Sequence, residues 1–266
     1  MANPTVVERA NSFRAMHQPG DPIVLINIWD VASARVVASQ PGTRALATAS
    51  WSVCAATGYV DGGGLPLKVA LLTAKRIVDA TDLPVTIDFE KGYADTAKDV
   101  RENTLRLIAT GAIGLNLEDS IGSEEGPNWN VSEASARVAA VRAAADESGV
   151  PLVINARTDV FIGGGAVEDA IVRGRAYLDA GADCIFVPGA DRNTVRELIE
   201  NIPGPVSVTA GANSPTIAEF ADLGVARVSF GPGPMGVAYS ALARFVDEVS
   251  FGRTNAPDLA YRPGCA

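Results

Sequence analysis

Eight short runs rich in β-branched residues, separated by longer Ala-rich helical patterns, constrain this chain more than any other feature. The runs are IVLINIW (23–29), ALATAS (45–50), PVTIDFE (84–90), GLNLED (114–119), PLVINARTD (151–159), CIFVPG (184–189), PVSVTA (205–210) and RVSFGP (227–232). Helical patterns fill the gaps at 31–39, 67–80, 96–110, 132–148, 167–180, 194–200, 215–223 and 235–249. Several of these end alike, at Gly111, Gly149, Gly181 and Gly224. Glycine just past a helix end accepts the left-handed conformation that closes it. Strand–helix alternation implies a parallel sheet, and eight such units predict an α/β fold of the (β/α)₈ TIM-type barrel class. An open doubly wound sheet is the competing arrangement, but no GxGxxG follows the first run. One barrel domain is expected over 1–250, followed by an aperiodic tail over 251–266 that carries two prolines.

In barrels the chemistry collects at the C-terminal ends of the strands. Here those ends are strongly polar only in the first five runs. The third carries Asp88 and Glu90, which a strand points to the same face. The fourth ends in Glu118 and Asp119, and the fifth in Asn155, Arg157, Thr158 and Asp159. Asp88, Glu90 and Glu118 therefore converge on one rim, where ionised neighbours repel each other and burial is costly without a counter-charge. An all-carboxylate set favours a hard divalent cation, Mg²⁺ or alternatively Mn²⁺. The other arrangement open to these acids is pairing with a cation such as Lys91 or Arg157. The fork of Arg157 suits a carboxylate or phosphonate, or equally a bridge to Glu118 or Asp159.

Other residues are candidates for substrate contact. Ser50, Trp51 and Ser52 lie in a loop running into a helical stretch over 53–57, whose N–H groups could hold an anion. Asn155 is a further donor on the rim. Asp61 sits in the glycine-rich segment GYVDGGG (58–64), which could close over the site or serve as a plain connector. Cys54 and Cys184 read as small core residues. The one histidine, His17, reads as a surface residue, and with a single histidine neither a Ser-His-Asp triad nor a multi-His zinc site is expected.

Composition narrows the partners. Lys plus Arg number 22 against 31 Asp plus Glu, a net charge of −9, and no basic run stands out. That balance argues against nucleic acid and anionic membrane and for a small-molecule carboxylate substrate. Three cysteines without a CxxC pair suggest a reducing compartment. No apolar signal core and no bilayer-length apolar run is seen, so the expected location is cytoplasmic.

The segments NIWDVASAR (27–35), TASWSVCAATGYVDGG (48–63), LPVTIDFEKGYAD (83–95), GAIGLNLEDS (111–120), NARTDVF (155–161) and RVSFGPGP (227–234) together resemble the isocitrate lyase/phosphoenolpyruvate mutase superfamily over nearly the whole length. The resemblance implies an α/β barrel, often with its last helix swapped between subunits, in a homodimer or homotetramer. It implies Mg²⁺ near Asp88, Glu90 and Glu118, and catalytic roles for Glu118, Arg157 and the gating-loop residue Asp61. It also implies enolate chemistry on a 2-oxo acid, with the strand-two loop holding a pyruvate-like unit. The chain departs from the superfamily's carbon–carbon lyases at DSIGSEEGPN (119–128), where their Lys-Lys-Cys-Gly-His type motif is missing. Glu124, Glu125 or Asn128 could enter the site when that loop closes, the other reading being a solvated acidic loop.

The function expected is a Mg²⁺-dependent lyase, decarboxylase or phosphonomutase-like enzyme acting next to an enolate carbon. A class II oxo-acid aldolase and a non-catalytic dicarboxylate-binding barrel are the alternatives.

Overall fold

The computed structural model describes residues 5–122 and 127–252. Glu124, Glu125 and the tail from residue 253 onward lie outside the described residues.

The strands are β1 (Ile23–Leu25), β2 (Asn27–Ile28), β3 (Leu46–Thr48), β4 (Val85–Asp88), β5 (Gly114–Glu118), β6 (Val153–Arg157), β7 (Cys184–Phe186), β8 (Val206–Thr209) and β9 (Arg227–Ser229). All pairings between them are parallel, in the order β1-β9-β8-β7-β6-β5-β4-β3-β2. β1 and β2 are two halves of one strand interrupted at Ile26. One half pairs with β9 through Ile23↔Arg227 and the other with β3 through Asn27↔Ala47, so the sheet curls round into an eight-stranded barrel. This is the expected (β/α)₈ class.

The helices are α1 (Val6–Ala15), α2 (Val31–Ala38), α3 (Ser50–Thr57), α4 (Leu67–Val78), α5 (Ala97–Ile108), α6 (Val131–Ser148), α7 (Val167–Asp179), α8 (Arg192–Asn201), α9 (Ile217–Leu223) and α10 (Gly233–Ser250). Alternate strand residues point outward to them. Ile87, Leu115, Leu117, Ile154, Ile185, Val206 and Val208 belong to the main apolar core, shared with helix residues such as Ile77, Leu107, Val141 and Leu198. The intervening residues point into the barrel. That second set is largely polar towards the C-terminal ends of the strands, with Asn27, Asp88, Asn116, Glu118, Asn155, Arg157 and Ser229.

The opposite end is apolar and closed by α1, a helix absent from the sequence expectation. Its segment VVERANSFRA buries only Ala10 and Phe13, too few apolar positions to show a helical period. A capping box starts it: the Thr5 hydroxyl accepts from the Glu8 N–H, and the Glu8 carboxylate accepts from the Thr5 N–H. Phe13 packs with Ile23, Leu25, Ala47 and Val153. Gly114 makes room for it, since a Cβ there would lie 3.1 Å from the Phe13 ring and 2.9 Å from the Thr86 hydroxyl. His17 follows on the same plug and is buried, which corrects the surface reading. Its Nδ1–H donates to the Phe13 carbonyl at 2.9 Å and its ring meets Phe13 edge-on at 4.7 Å. Burial first, and the Arg227 guanidinium second, push its pKa down to about 3, so it is neutral packing material.

No helix among the described residues is long and apolar enough to cross a membrane.

Because Phe13 fills the N-terminal end of the barrel, Phe13→Ala should lower stability by about 3–5 kcal/mol, read as a shifted urea midpoint.

Candidate active site

The C-terminal ends of the strands hold a cavity of about 160 Å³ lined by Asn27, Ser50, Trp51, Asp88, Asn116 and Arg157 on its polar side. Ile162, Phe186, Pro188 and Pro232 also line it, together with Thr209 and Ser229.

Asp88 is the best-determined side chain in it. β4 aligns with β3 so that the Asp88 N–H donates to the Thr48 hydroxyl at 2.8 Å. The Ser50 N–H, at the start of α3, donates to Asp88 Oδ2 at 3.0 Å. α3 has no side-chain N-cap, so Asp88 supplies the acceptor that a capping residue would provide. On the other oxygen, the Asn116 amide donates to Oδ1 at 3.4 Å. The orientation of Asn116 is set from below: its Oδ1 accepts from Asn155 Nδ2 at 2.8 Å and from Arg227 Nη2 at 3.1 Å. Both donors are buried. Asn155 thus sits beneath the cavity rather than on its wall, and Ser52 is buried in α3 outside the lining. Trp51 stands half-exposed at the mouth.

Arg157 and Glu118 face each other across the paired strands β5 and β6. Arg157 Nη1 lies 3.4 Å from Glu118 Oε2, and its Nε donates to Asp159 Oδ1 at 2.5 Å. Its guanidinium also stacks 5.9 Å from the Phe186 ring. Two carboxylates and a ring therefore hold this fork in place at the cavity wall. Lys91 donates to the carbonyls of Gly62 and Gly122, tying the Asp61 loop to the loop after β5. Asp119 faces away, accepting from Tyr177 Oη at 2.6 Å and Arg173 Nη1 at 3.0 Å, a structural network under that loop.

Glu90 lies just beyond β4, buried, with φ at +46°, in the left-handed region that a non-glycine residue rarely adopts. Tyr93, also at positive φ, donates its hydroxyl to Glu90 Oε1 at 2.7 Å. Oε2 is buried with no hydrogen-bond partner. Burial first, then the charges of Asp61 and Asp88, push the Glu90 pKa up to about 7, against the pull of the Tyr93 hydroxyl. Strain of this kind gathers at functional sites. Asp61 reaches the same spot, accepting from the Ser50 hydroxyl at 3.4 Å, with the Cys54 sulfur 3.6 Å away. Ligand atoms of Cys54, Asp61 and Glu90 all lie within 4.8 Å of one another. A buried carboxylate oxygen without a partner, facing other acids, is what a cation site looks like before its ion is bound, so these residues fit a divalent metal.

Residues 13–250 match the phosphoenolpyruvate phosphomutase family. The chain belongs to that family. It lies within the isocitrate lyase/phosphoenolpyruvate mutase superfamily, which includes both lyases and phosphomutases. A Burkholderia cenocepacia J2315 crystal structure, described provisionally as a phosphonomutase, superposes with a TM-score of 0.87 at 46% identity over 91% of this chain and 99% of that one. An uncharacterised protein of Mycobacterium tuberculosis (strain ATCC 25618 / H37Rv) is 33% identical over 244 residues, 91% of this chain and 90% of that protein. The oxaloacetate decarboxylase of Paraburkholderia xenovorans (strain LB400) is 33% identical over 195 residues, 71% of this chain and 62% of that enzyme.

For this phosphoenolpyruvate phosphomutase family member, sequence reasoning passed over Asn27 and Asn116. Both occupy inward strand positions, and strict alternation from Glu118, which was singled out, through Asn116 would have found the second. Asn27 bridges the barrel closure, donating to the Thr48 carbonyl and accepting from the Phe230 N–H, each at 2.8 Å.

The Glu90 carboxyl titrates near 4.5 when unperturbed and near 7 in the fold. Between those values the folded state binds the extra proton, so stability falls as pH rises. Metal-free protein should therefore lose thermal stability from about pH 5 to about pH 8, and Glu90→Gln should flatten that slope in a melting series.

Proposed function

We propose that this chain is a divalent-cation-dependent enzyme that cleaves the carbon–carbon bond next to the keto or enolate carbon of a small 2-oxo acid or malate-type carboxylate. The observation that carries this is the composition of the cavity: among the described residues Arg157 is the one cationic side chain in its lining, which also includes the apolar Ile162, Phe186, Pro188 and Pro232. A phosphonate dianion needs several cationic or N–H donors around it, whereas a departing carbon dioxide or alkyl fragment needs a dry wall. The relationship to an oxaloacetate decarboxylase supports the same reading.

Asp88, Glu90 and Glu118 would hold the cation, Mg²⁺ or Mn²⁺, with Asp61 brought to it by the glycine-rich loop. When bound, the ion supplies a Lewis acid for the carboxylate and keto oxygens of the substrate. The chain's own residues do the rest. Arg157, already fixed by Glu118 and Asp159, pairs with a substrate carboxylate. The N–H groups at the start of α3, next to Ser50 and Trp51, receive oxygens of the pyruvate-like unit. Asn116, oriented from below, keeps Asp88 in place as charge moves toward it. Ile162, Phe186 and Pro188 exclude water from the breaking bond.

We also infer that α10 packs on a second copy of the chain, in a dimer or tetramer. Val237, Leu242, Val246 and Val249 on this helix are between 49% and 74% exposed, too much apolar surface for one helix to leave in water.

Proton and phosphorus NMR of the protein with Mg²⁺, each sample paired with an EDTA control, tests the reaction on oxaloacetate, alkylated malates, methylisocitrate and phosphonopyruvate. Pyruvate or another 2-oxo acid should appear from a carbon substrate, and Asp88→Asn or Glu118→Gln should slow it by about a hundredfold or more with the fold intact. Conversion of phosphonopyruvate to phosphoenolpyruvate would replace this reading with a phosphonomutase. For the assembly, Leu242→Asp should reduce the mass measured by light scattering to that of a single chain; an unchanged mass would exclude α10 as the contact.

A further inference from the structure

The acids at the rim are not an all-oxygen set. α3 turns the thiol of Cys54 onto the same face as Ser50, since the two lie four residues apart. That face meets the Asp61 loop, and the Cys54 Sγ lies 3.6 Å from Asp61 Oδ1. Cys54 is a free cysteine and is 1% exposed. A core cysteine is normally surrounded by apolar side chains. This one has Val53, Leu65 and Ala70 on one side and two carboxylates on the other. The second, independent observation is Glu90. It is 1% exposed, its Oε2 has no hydrogen-bond partner, and its carboxylate is one of the three groups whose ligand atoms gather within 4.8 Å.

We propose that Cys54 is itself a ligand, and that Cys54, Asp61 and Glu90 form a mixed sulfur–oxygen site for a thiophilic divalent cation. This rests on the reading of the rim as a metal site and adds to it the identity of the ions it selects. Carboxylates alone suit Mg²⁺, whereas one thiolate shifts preference toward Zn²⁺, Co²⁺ and related ions. Metal–sulfur bonds run near 2.3 Å and metal–oxygen bonds near 2.1 Å, so donors around a tetrahedral ion lie roughly 3.5 Å apart. The Cys54–Asp61 contact of 3.6 Å already has that spacing, and every separation within the group stays under 4.8 Å. Asp61 is followed by Gly62 and Gly63, both at positive φ, which leaves its loop free of side chains next to the site. On binding, the thiol proton leaves to solvent and the sulfur lone pair forms the new bond, with no change of oxidation state.

Co²⁺ is the probe, because thiolate ligation gives a near-ultraviolet sulfur-to-metal charge-transfer band that oxygen ligation lacks. Titration of the full chain with Co²⁺ should raise that band to saturation. It should persist in Cys184→Ser and Cys265→Ser and vanish in both Cys54→Ser and Cys54→Ala. Calorimetry should show Co²⁺ bound roughly tenfold or more weakly by the Cys54 variants, with Mg²⁺ affinity changed less than twofold. Circular dichroism should show both variants folded; if only one of them is, that one decides. Co²⁺ binding without the band in the wild-type chain, or a band that survives loss of Cys54, overturns the thiolate site while leaving the acids as metal ligands. Absence of heat with both Co²⁺ and Mg²⁺ overturns the metal reading altogether.

Discussion

Every element of the site answers to the need to keep buried carboxylates ionised or satisfied. Asp88 shows how the fold does it. One oxygen takes the Ser50 N–H of α3 and the other takes the Asn116 amide, while its own N–H goes to the Thr48 hydroxyl. A single side chain thereby links β3, β4, β5 and the start of a helix. None of these contacts is a salt bridge; the position of the carboxylate is fixed by neutral donors and by the positive end of α3. Glu118 and Asp159 are treated in the opposite way, sharing one guanidinium from β6. Glu90 has the Tyr93 hydroxyl on Oε1, a backbone at positive φ and a raised pKa. These acids therefore differ in what holds them: neutral donors for Asp88, a guanidinium for Glu118 and Asp159, and a hydroxyl for Glu90.

How much of this is legible in the sequence follows from what kind of signal each part leaves. The barrel strands sit inside the eight β-branched runs because outward residues such as Ile87, Leu115 and Val206 must be apolar to meet the helices. The rim acids show because polar residues at the end of an otherwise apolar strand are conspicuous. The interruption at Ile26 leaves no trace, since it is a matter of which neighbour each half-strand pairs with. α1 leaves little, because it buries one phenylalanine and one alanine and owes its ends to capping. His17 looked exposed for the same reason: the helix that buries it was not visible. Asn155 belongs to the correct strand and face, yet depth along the barrel axis decides between wall and floor, and residue spacing does not encode depth. Cys54 shows the same limit. Its burial could be read from the sequence, but its two acidic neighbours come from other segments.

Depth is also where stability and chemistry meet in this molecule. Arg227 is 1% exposed and stands on β9 opposite Ile23, at the apolar end, with its guanidinium 5.9 Å from the Phe13 ring. Its far end reaches Asn116, one bond away from Asp88. Burial pushes its pKa down to about 10, still well above neutrality, so the charge persists. A lone buried cation is costly. Here it is tolerable because the rim above it is anionic, and the rim acids in turn are less costly because a cation lies below them. The plug formed by α1 and Phe13 keeps water from that cation at the closed end of the barrel, which strengthens its field at the open end. The small helix that sequence patterning hid therefore contributes to the electrostatics of the site as well as to the packing that closes the barrel.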